Sequence, residues 1–111
     1  MIFVVETQTR CLLVHIDEAI AVREYEGVDV EAVQYLFWSN DGTPLEAEFS
    51  VPNKRGWFSV QSGTYHLVPA SKDHHADLIE ALDEVAYLES NPHFKSLAEI
   101  RSYIGRTPAG T

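Results

Sequence analysis

An alternation of apolar and polar side chains over residues 33–51 predicts a β-hairpin whose turn lies at residues 39–42. After this turn, apolar residues occupy every second position: Leu45, Ala47, Phe49 and Val51. This period of two is typical of a strand with one buried face. Before the turn, residues 33–38 are apolar on both faces, which indicates a central strand covered from both sides. A helix over residues 29–38 is the alternative, but successive aromatic and β-branched side chains favour the strand.

Further β-rich segments occur on both sides of this hairpin. The sequence predicts a first hairpin from residues 2–7 and 11–16, a third strand over 19–25 and a tight hairpin from 57–61 and 64–68. A short helix is the alternative for residues 19–25. Residues 52–56 have the composition of a turn. The spacing of these segments is typical of an antiparallel meander.

The pattern becomes helical after Pro69. An apolar stripe at helical spacing is formed by Leu78, Ile79, Leu82, Val85 and Ala86. This first helix is expected to begin near Ser71 or Asp73 and to end at Asn91 and Pro92. A capping box that begins at Ser96 predicts a second helix, and Gly105 is its expected stop.

These segments predict one α+β domain over residues 1–111. It comprises a β-rich sheet (1–69), a helical part (71–105) and a frayed tail (106–111). The sheet is a mostly antiparallel meander of about five to seven strands, and the two C-terminal helices pack on one of its faces. The other face is then open, or is covered by curvature or by a second copy of the chain.

Charge narrows the range of functions. The formal net charge is −9, and residues 17–48 carry nine acids against Arg23 alone. Such a surface argues against nucleic-acid binding, which depends on phosphate neutralisation, and suits a basic protein partner. An acidic surface that serves solubility alone is the competing interpretation. No apolar run suits a membrane helix, no basic leader precedes residue 2, and Cys11 is the single cysteine, so we expect a cytoplasmic protein.

The main candidate for partner binding is the second face of the central hairpin. If the helices cover the face of Phe37 and Leu45, then Leu36 and Trp38 emerge beside Glu46 and Glu48. An aromatic anchor with an acidic rim is typical of a protein-binding patch. The alternative is that this face forms a second core layer. A secondary acidic face follows the polar side of the first C-terminal helix: Asp77, Glu80, Asp83 and Glu84.

The sequence gives little support for a catalytic or metal-binding site. Asp73, His74 and Asp77 form a cluster that could hold a metal only if His66 or His93 completed it. Cys11 and His15 share a strand face but lie ~13 Å apart, too far for a catalytic pair. Glu46 and Glu48 lie ~7 Å apart on one strand face, and such glutamates are usually solvated. The sequence contains no phosphate-binding loop, nucleophile elbow or zinc motif, so we predict no catalytic residues, no metal and no cofactor.

In size, acidity, single-domain organisation and lack of motifs, the chain resembles the small immunity and inhibitor proteins of bacteria and phages, including anti-CRISPR proteins. The resemblance implies a non-enzymatic protein of the inhibitor or immunity type that binds a basic protein partner, and it assigns no residue. The closing residues 96–104 resemble a helix that often follows a sheet in small bacterial domains. An uncharacterised homodimeric domain is the second interpretation, and a metal-dependent function is the third.

Overall fold

The computed structural model describes residues 1–56, 60–71 and 73–106. Its strands are β1 (Ile2–Glu6), β2 (Cys11–His15), β3 (Tyr35–Trp38), β4 (Pro44–Val51), β5 (Lys54–Arg55), β6 (Val60–Gln61), β7 (Thr64–Pro69) and β8 (Tyr87–Leu88). Its helices are α1 (Glu18–Glu24), α2 (Gly27–Glu31), α3 (Leu78–Ala81) and α4 (Leu97–Arg106), and one turn of 3₁₀ helix (Leu82–Glu84) continues α3. The α+β class is confirmed.

The strands form a six-stranded sheet in the order β7-β4-β3-β1-β2-β8 and a separate two-stranded ribbon, β5-β6. The pairs are antiparallel except β2 with β8, which is parallel. The predicted first hairpin and central hairpin are both present. The predicted meander is wrong in its order, because β3 pairs with β1 and not with β2, the strand that precedes it in the chain.

Residues 19–24 of the third predicted strand instead belong to helix α1, and Tyr25 follows its end in an extended conformation. Asp17 caps the helix, because its Oδ1 accepts a hydrogen bond from the Ile20 amide at 2.9 Å. Glu18 in the first turn and Arg23 in the last turn suit the helix dipole. These end signals outweigh the weak alternation that suggested a strand.

The predicted hairpin around Ser62 and Gly63 does not form among the described residues. Thr64–Pro69 pairs with β4, and Val60–Gln61 pairs with Lys54–Arg55, which lies in the segment predicted as a turn. Residues 57–59 of the predicted strand lie outside the described residues. The long pairing of β7 with β4 therefore competes successfully with the local turn.

The first C-terminal helix is shorter than predicted. It begins at Leu78 rather than near Ser71, and Val85 and Ala86 of the predicted stripe lie beyond its end. Val85 is already extended and leads into β8. The second helix has the expected capping contact, since the Glu99 amide donates to Ser96 Oγ at 3.2 Å. It continues through Gly105 to Arg106 instead of stopping at the glycine.

Side chains on opposite faces of the central strands enter two separate cores. Val4 and Phe37 belong to the first core, with Ala21, Tyr25 and Val30 from α1, α2 and the turn between them. The second core joins Phe3 and Trp38 to residues of the C-terminal half: Leu78, Leu82, Phe94, Ile100 and Ile104. The central strand predicted to be covered on both sides is therefore confirmed. The second face, expected to be open or to be covered by curvature or by a second copy of the chain, is instead covered at its centre by residues of α1, α2 and the turn between them.

Strand β7 forms one edge of the large sheet. Its Leu67 amide points away from β4 and donates to Glu18 Oε1 of α1 at 2.9 Å. Pro69 lies on the same side of the strand and carries no amide hydrogen. Helix α1 thus both covers the first core and closes part of this edge.

Among the described residues, no helix has the length and apolar composition needed to cross a lipid bilayer.

Candidate functional site

Trp38 was predicted to be an exposed aromatic anchor for a partner, and the structure places it in the protein interior instead. Its side chain is 1% exposed, so the prediction that it emerges as an exposed anchor is wrong. The indole Nε1 donates to the Ala76 carbonyl at 2.8 Å, and the ring contacts His75 edge to face at 4.9 Å between centroids. Trp38 is therefore a member of the second core, the competing interpretation of this face.

Trp38 nevertheless lines an apolar groove of about 270 Å³ that opens to solvent. The half-buried Leu36 lies beside it, and both belong to β3. Ala81 and Val85 border the groove from the C-terminal half, while Arg10 and Glu84 supply charged groups at it. The groove joins members of the predicted primary patch to the predicted secondary acidic face, a link that the sequence did not indicate.

The secondary acidic face lies on α3 and the following 3₁₀ turn. All four of its carboxylate residues are exposed: Asp77, Glu80, Asp83 and Glu84. Asp83 forms an ion pair with Arg101 of α4 at 2.5 Å. The other two ion pairs between described residues join a carboxylate to a histidine rather than to an arginine or lysine. The face thus remains strongly negative after folding.

Glu46 and Glu48 lie on the outer, polar half of the same sheet face as Trp38. Glu48 faces His66 across the β4–β7 pair at 3.4 Å, and Glu46 approaches His74 at 3.6 Å. The connection over residues 74–76 contacts the sheet between Glu46 and the groove. The predicted primary patch is therefore divided, with Leu36 and Trp38 at the groove and the two glutamates beyond that connection.

A chain of hydrogen bonds determines how the two adjacent histidines hold their protons. His75 Nε2 lies 2.9 Å from the Phe37 carbonyl, which can only accept, so this nitrogen carries hydrogen. The neutral ring then accepts through Nδ1, and His74 Nδ1, at 2.7 Å, is the donor. Burial lowers the pKa of His75, the nearby His74 lowers it further, and the Phe37 hydrogen bond and Glu46 raise it. His75 is thus held neutral.

These contacts do not favour metal binding. Within residues 1–56, 60–71 and 73–106, no three side chains of His, Cys, Asp or Glu are grouped so as to hold an ion. His74 directs its ring nitrogens at His75 and Glu46, not at a shared point with Asp73 and Asp77. The structure therefore does not bring the predicted metal cluster together.

Cys11 and His15 also remain separate in function. Cys11 is buried, and its thiol contacts the Leu12 carbonyl. His15 Nε2 is 2.6 Å from the Tyr25 hydroxyl, and burial lowers the pKa of His15. Burial and the nearby Glu24 raise the pKa of Tyr25. Both groups of the His15–Tyr25 pair therefore favour their neutral forms, and their hydrogen bond joins β2 to the first core.

A second cavity, of about 250 Å³, lies where β3 and β4 diverge. The two strands pair at only two positions, Phe37 with Leu45 and Trp38 with Pro44. Aromatic and aliphatic side chains line the cavity: Val30, Val33, Tyr35, Phe37, Ala47 and Phe49. Glu31, Glu46 and His74 add polar groups. Sequence analysis missed this cavity, because alternation alone does not reveal how far two strands remain paired.

Val33, on the wall of this cavity, has an unusual backbone conformation. Its φ is +58°, in the left-handed region that β-branched residues rarely adopt. Its amide donates to the Val30 carbonyl at 3.0 Å, and the Gln34 amide donates to the Asp29 carbonyl at 3.1 Å. These two bonds form a Schellman motif at the end of α2, where glycine normally occupies the position of Val33. The side chain is 53% exposed, so burial does not compensate the strain.

The chain matches no family model, no curated protein and no solved structure.

Proposed function

We propose that this chain is a small, non-enzymatic, acidic binding protein that recognises a basic protein partner and inhibits it, in the manner of an immunity protein. The observation that carries the proposal is the position of the apolar groove beside an acidic face. Glu84 belongs to both, and Glu80 is exposed one turn away on the same short helical segment. A partner would place an apolar side chain in the groove and basic residues against the carboxylates.

The groove supports the proposal by its composition. Leu36, Ala81 and Val85 offer an apolar surface in a concave shape above the buried Trp38, which suits an anchor side chain of a partner. In this proposal, the two C-terminal helices pack together on one sheet face, and α3 forms a wall of the groove. Trp38 then acts as part of the groove floor and not as an inserted anchor.

The net charge supports the proposed binding of a basic partner independently of the groove. With a net charge of −9, the protein attracts basic proteins over distances of about a Debye length, and this attraction raises association rates at low salt. Glu80 and Glu84 would then favour the correct orientation of the partner.

The test compares two double charge reversals with the same change in net charge. Glu80→Lys with Glu84→Lys alters the proposed site, whereas Glu24→Lys with Glu26→Lys alters exposed residues in and just after α1, which packs on the other sheet face. The partner would be captured from the native host with the unmodified chain and identified by mass spectrometry. Association kinetics would then be measured for all three proteins at several salt concentrations.

We expect the Glu80 and Glu84 reversal to slow association at least about tenfold at low salt. The Glu24 and Glu26 reversal should have a much smaller effect. Equal losses would mean that only net charge matters, and no loss from either pair would reject the site. If the captured material is the chain itself and sedimentation shows a dimer, the alternative of a homodimeric structural domain replaces the proposal.

A further inference from the structure

We propose that the cavity between the diverging strands β3 and β4 binds an organic cation, namely an alkylammonium or guanidinium group carried on an apolar stem. This site is separate from the groove of the proposed function and does not depend on it. The two cavities have different lining residues, with Glu31 and Glu46 at the first and Glu84 at the groove.

The shape and wall of the cavity fit the stem of such a ligand. Tyr35 and Phe37 border it from β3, Ala47 and Phe49 from β4, and Val30 from α2. At about 250 Å³, the space is smaller than most drug-binding pockets and suits a ligand the size of an amino-acid side chain. Aromatic rings attract cations through their faces, and this attraction increases when the cation loses water.

The polar groups of the cavity carry negative charge. Glu31 Oε2 accepts from the Asn53 side-chain Nδ2 at 3.2 Å, and because this donor is neutral it does not cancel the carboxylate charge. Glu46 has its side chain about one-third exposed, and His74 approaches it at 3.6 Å. Neither glutamate forms an ion pair with an arginine or lysine in the described parts of the chain.

The surroundings of Tyr35 indicate the same negative potential. Desolvation raises the pKa of the Tyr35 hydroxyl, and the carboxylates of Glu6, Asp29 and Glu24 raise it further. A ligand cation beside this ring would therefore be favoured by charges outside the cavity as well as by those lining it.

The backbone of Val33 supplies a third observation. A left-handed valine is strained, and such strain persists where the surrounding structure enforces it, often at ligand sites. Because the side chain is exposed, no packing in the isolated chain explains why a valine occupies this position. A bound ligand with an apolar stem would contact it at the cavity wall.

His74 is the group that competes with the ligand. It donates to His75 through Nδ1, and its Nε2 lies 3.6 Å from Glu46 Oε2. An incoming cation must share Glu46 with this ring, so removal of the imidazole should strengthen binding.

The experiment is a titration of the isotope-labelled chain with butylguanidinium and with butylammonium, followed by amide NMR shifts. Butylurea, which has the same stem and no charge, is the matched control ligand. We expect both cations to shift the amides of Tyr35 and Ala47, with saturation, and butylurea to bind at least fivefold more weakly. Equal binding of butylurea, or cation shifts that avoid these two residues, would overturn the proposal.

Three variants test the assignment of the charges. Glu46→Gln should weaken cation binding about tenfold, because a charge-assisted hydrogen bond is lost. Glu48→Gln, two residues along the same strand and not part of the cavity lining, is the matched control and should change it less than twofold. His74→Gln, which retains a neutral donor, should strengthen binding. Equal losses for the two glutamates, or weaker binding with His74→Gln, would contradict the assignment.

Two further comparisons separate the sources of the cation and the two proposals. A blocked Ala-Arg-Ala peptide that binds more tightly than butylguanidinium would identify a protein side chain as the ligand, and weaker binding of the peptide would identify a free small cation. The Glu80→Lys and Glu84→Lys reversal should leave butylguanidinium affinity within about twofold, since both residues lie outside this cavity. Cation binding that instead fails in this variant would locate the site at the groove and overturn the proposal.

Discussion

The inner half of the sheet, which contains β1 and β3, differs in construction from the outer half, which contains β4 and β7. In the inner half, strands β1 and β3 have buried side chains on both faces, and the consecutive residues Phe3 and Val4 are both 0% exposed, in opposite cores. In the outer half, β4 buries Leu45 on one face. On its other face, Glu46 and Glu48 form ion pairs with described residues only at histidines. The inner half holds the fold together, and the outer half retains a polar face and a cavity.

The junction between the halves is narrow. Only two residue pairs connect β3 to β4, and the His75 side chain donates to Phe37 at this junction. Strand β4 is instead paired with β7 over most of its length. Few backbone hydrogen bonds therefore join the two halves, and the cavity lined by Val33, Tyr35 and Ala47 lies beside this short pairing.

The largest expected effect comes from the inner half. Leu82→Ala should lower the free energy of unfolding by about 2–4 kcal/mol, because Leu82 is 2% exposed within the second core. Urea denaturation followed by circular dichroism would measure it. Glu80→Ala, on the exposed side of the neighbouring turn, is the control and should stay within about 0.5 kcal/mol. Equal effects would mean that the helical segment is rotated relative to the structure described.

Gly42→Ala tests the turn that joins the halves. Gly42 has a φ of +85°, and an added Cβ would lie 3.1 Å from Ile104 Cγ2 of α4. Both the conformation and the contact oppose a side chain, so we expect a loss of about 2–3 kcal/mol in the free energy of unfolding. Gly105→Ala is the control, since an added Cβ there meets nothing within 4 Å. A neutral result at Gly42 would show that α4 lies further from this turn.

Acidification should destabilise the protein through one histidine at the junction and one in the inner half. Burial lowers the pKa of His75 at the junction and of His15 in the inner half. As the pH falls below the unfolded value of 6.5, the unfolded chain takes up protons that the folded chain resists, so the free energy of unfolding decreases. The decrease ends once the pH is below the lowered pKa values. Melting temperatures between pH 7.5 and 5.5 should therefore fall, and the double variant His15→Gln with His75→Gln should flatten this dependence.

Val33→Gly is expected to stabilise the protein. Glycine adopts the left-handed conformation without strain, although it also increases the entropy of the unfolded chain, so the net gain should be about 1 kcal/mol. Thermal unfolding would measure this gain. Val30→Gly, within α2 and 8% exposed, should instead destabilise. If Val33→Gly destabilises as well, the Schellman geometry at the end of α2 is wrong.

The smallest expected effect on the free energy of unfolding comes from the polar face of β4, which carries Glu46 and Glu48. Glu48→Gln removes an exposed contact with His66, and we expect a change within about 0.5 kcal/mol in urea denaturation. A loss above about 1 kcal/mol would mean that this face is packed against something and is not exposed as described.

The sequence predicted those elements in which local pattern and long-range pairing agree. The alternation at Leu45 and Ala47 and the capping box at Ser96 both appear as predicted. The predictions were wrong where contacts between residues far apart in the sequence determine the secondary structure. The connection before α3 is held by His75 and Ala76 contacts to β3, partners about 38 residues away in the chain, and a helical stripe does not reveal such contacts.

The candidate site was predictable only in part. The acidic character of residues 77–84 follows directly from composition, and the four carboxylate side chains in this range are exposed as expected. The burial of Trp38 was not predictable, because its alternation with Phe37 is compatible with either an exposed or a second covered face. The cavity beside Val33 depends on a left-handed valine, and a single sequence marks such a position only when glycine occupies it.

The hydrogen bond from the Leu67 amide to Glu18 has a consequence for the behaviour of the protein in concentrated solution. An edge strand with free amides serves as a template on which further chains add and form fibrils. On β7, one outward amide is occupied by a charged carboxylate, and the next outward position is Pro69, which has none to offer. An arriving strand would have to displace Glu18 from Leu67 before it could pair there, so fibril growth from this edge is opposed by the folded chain itself.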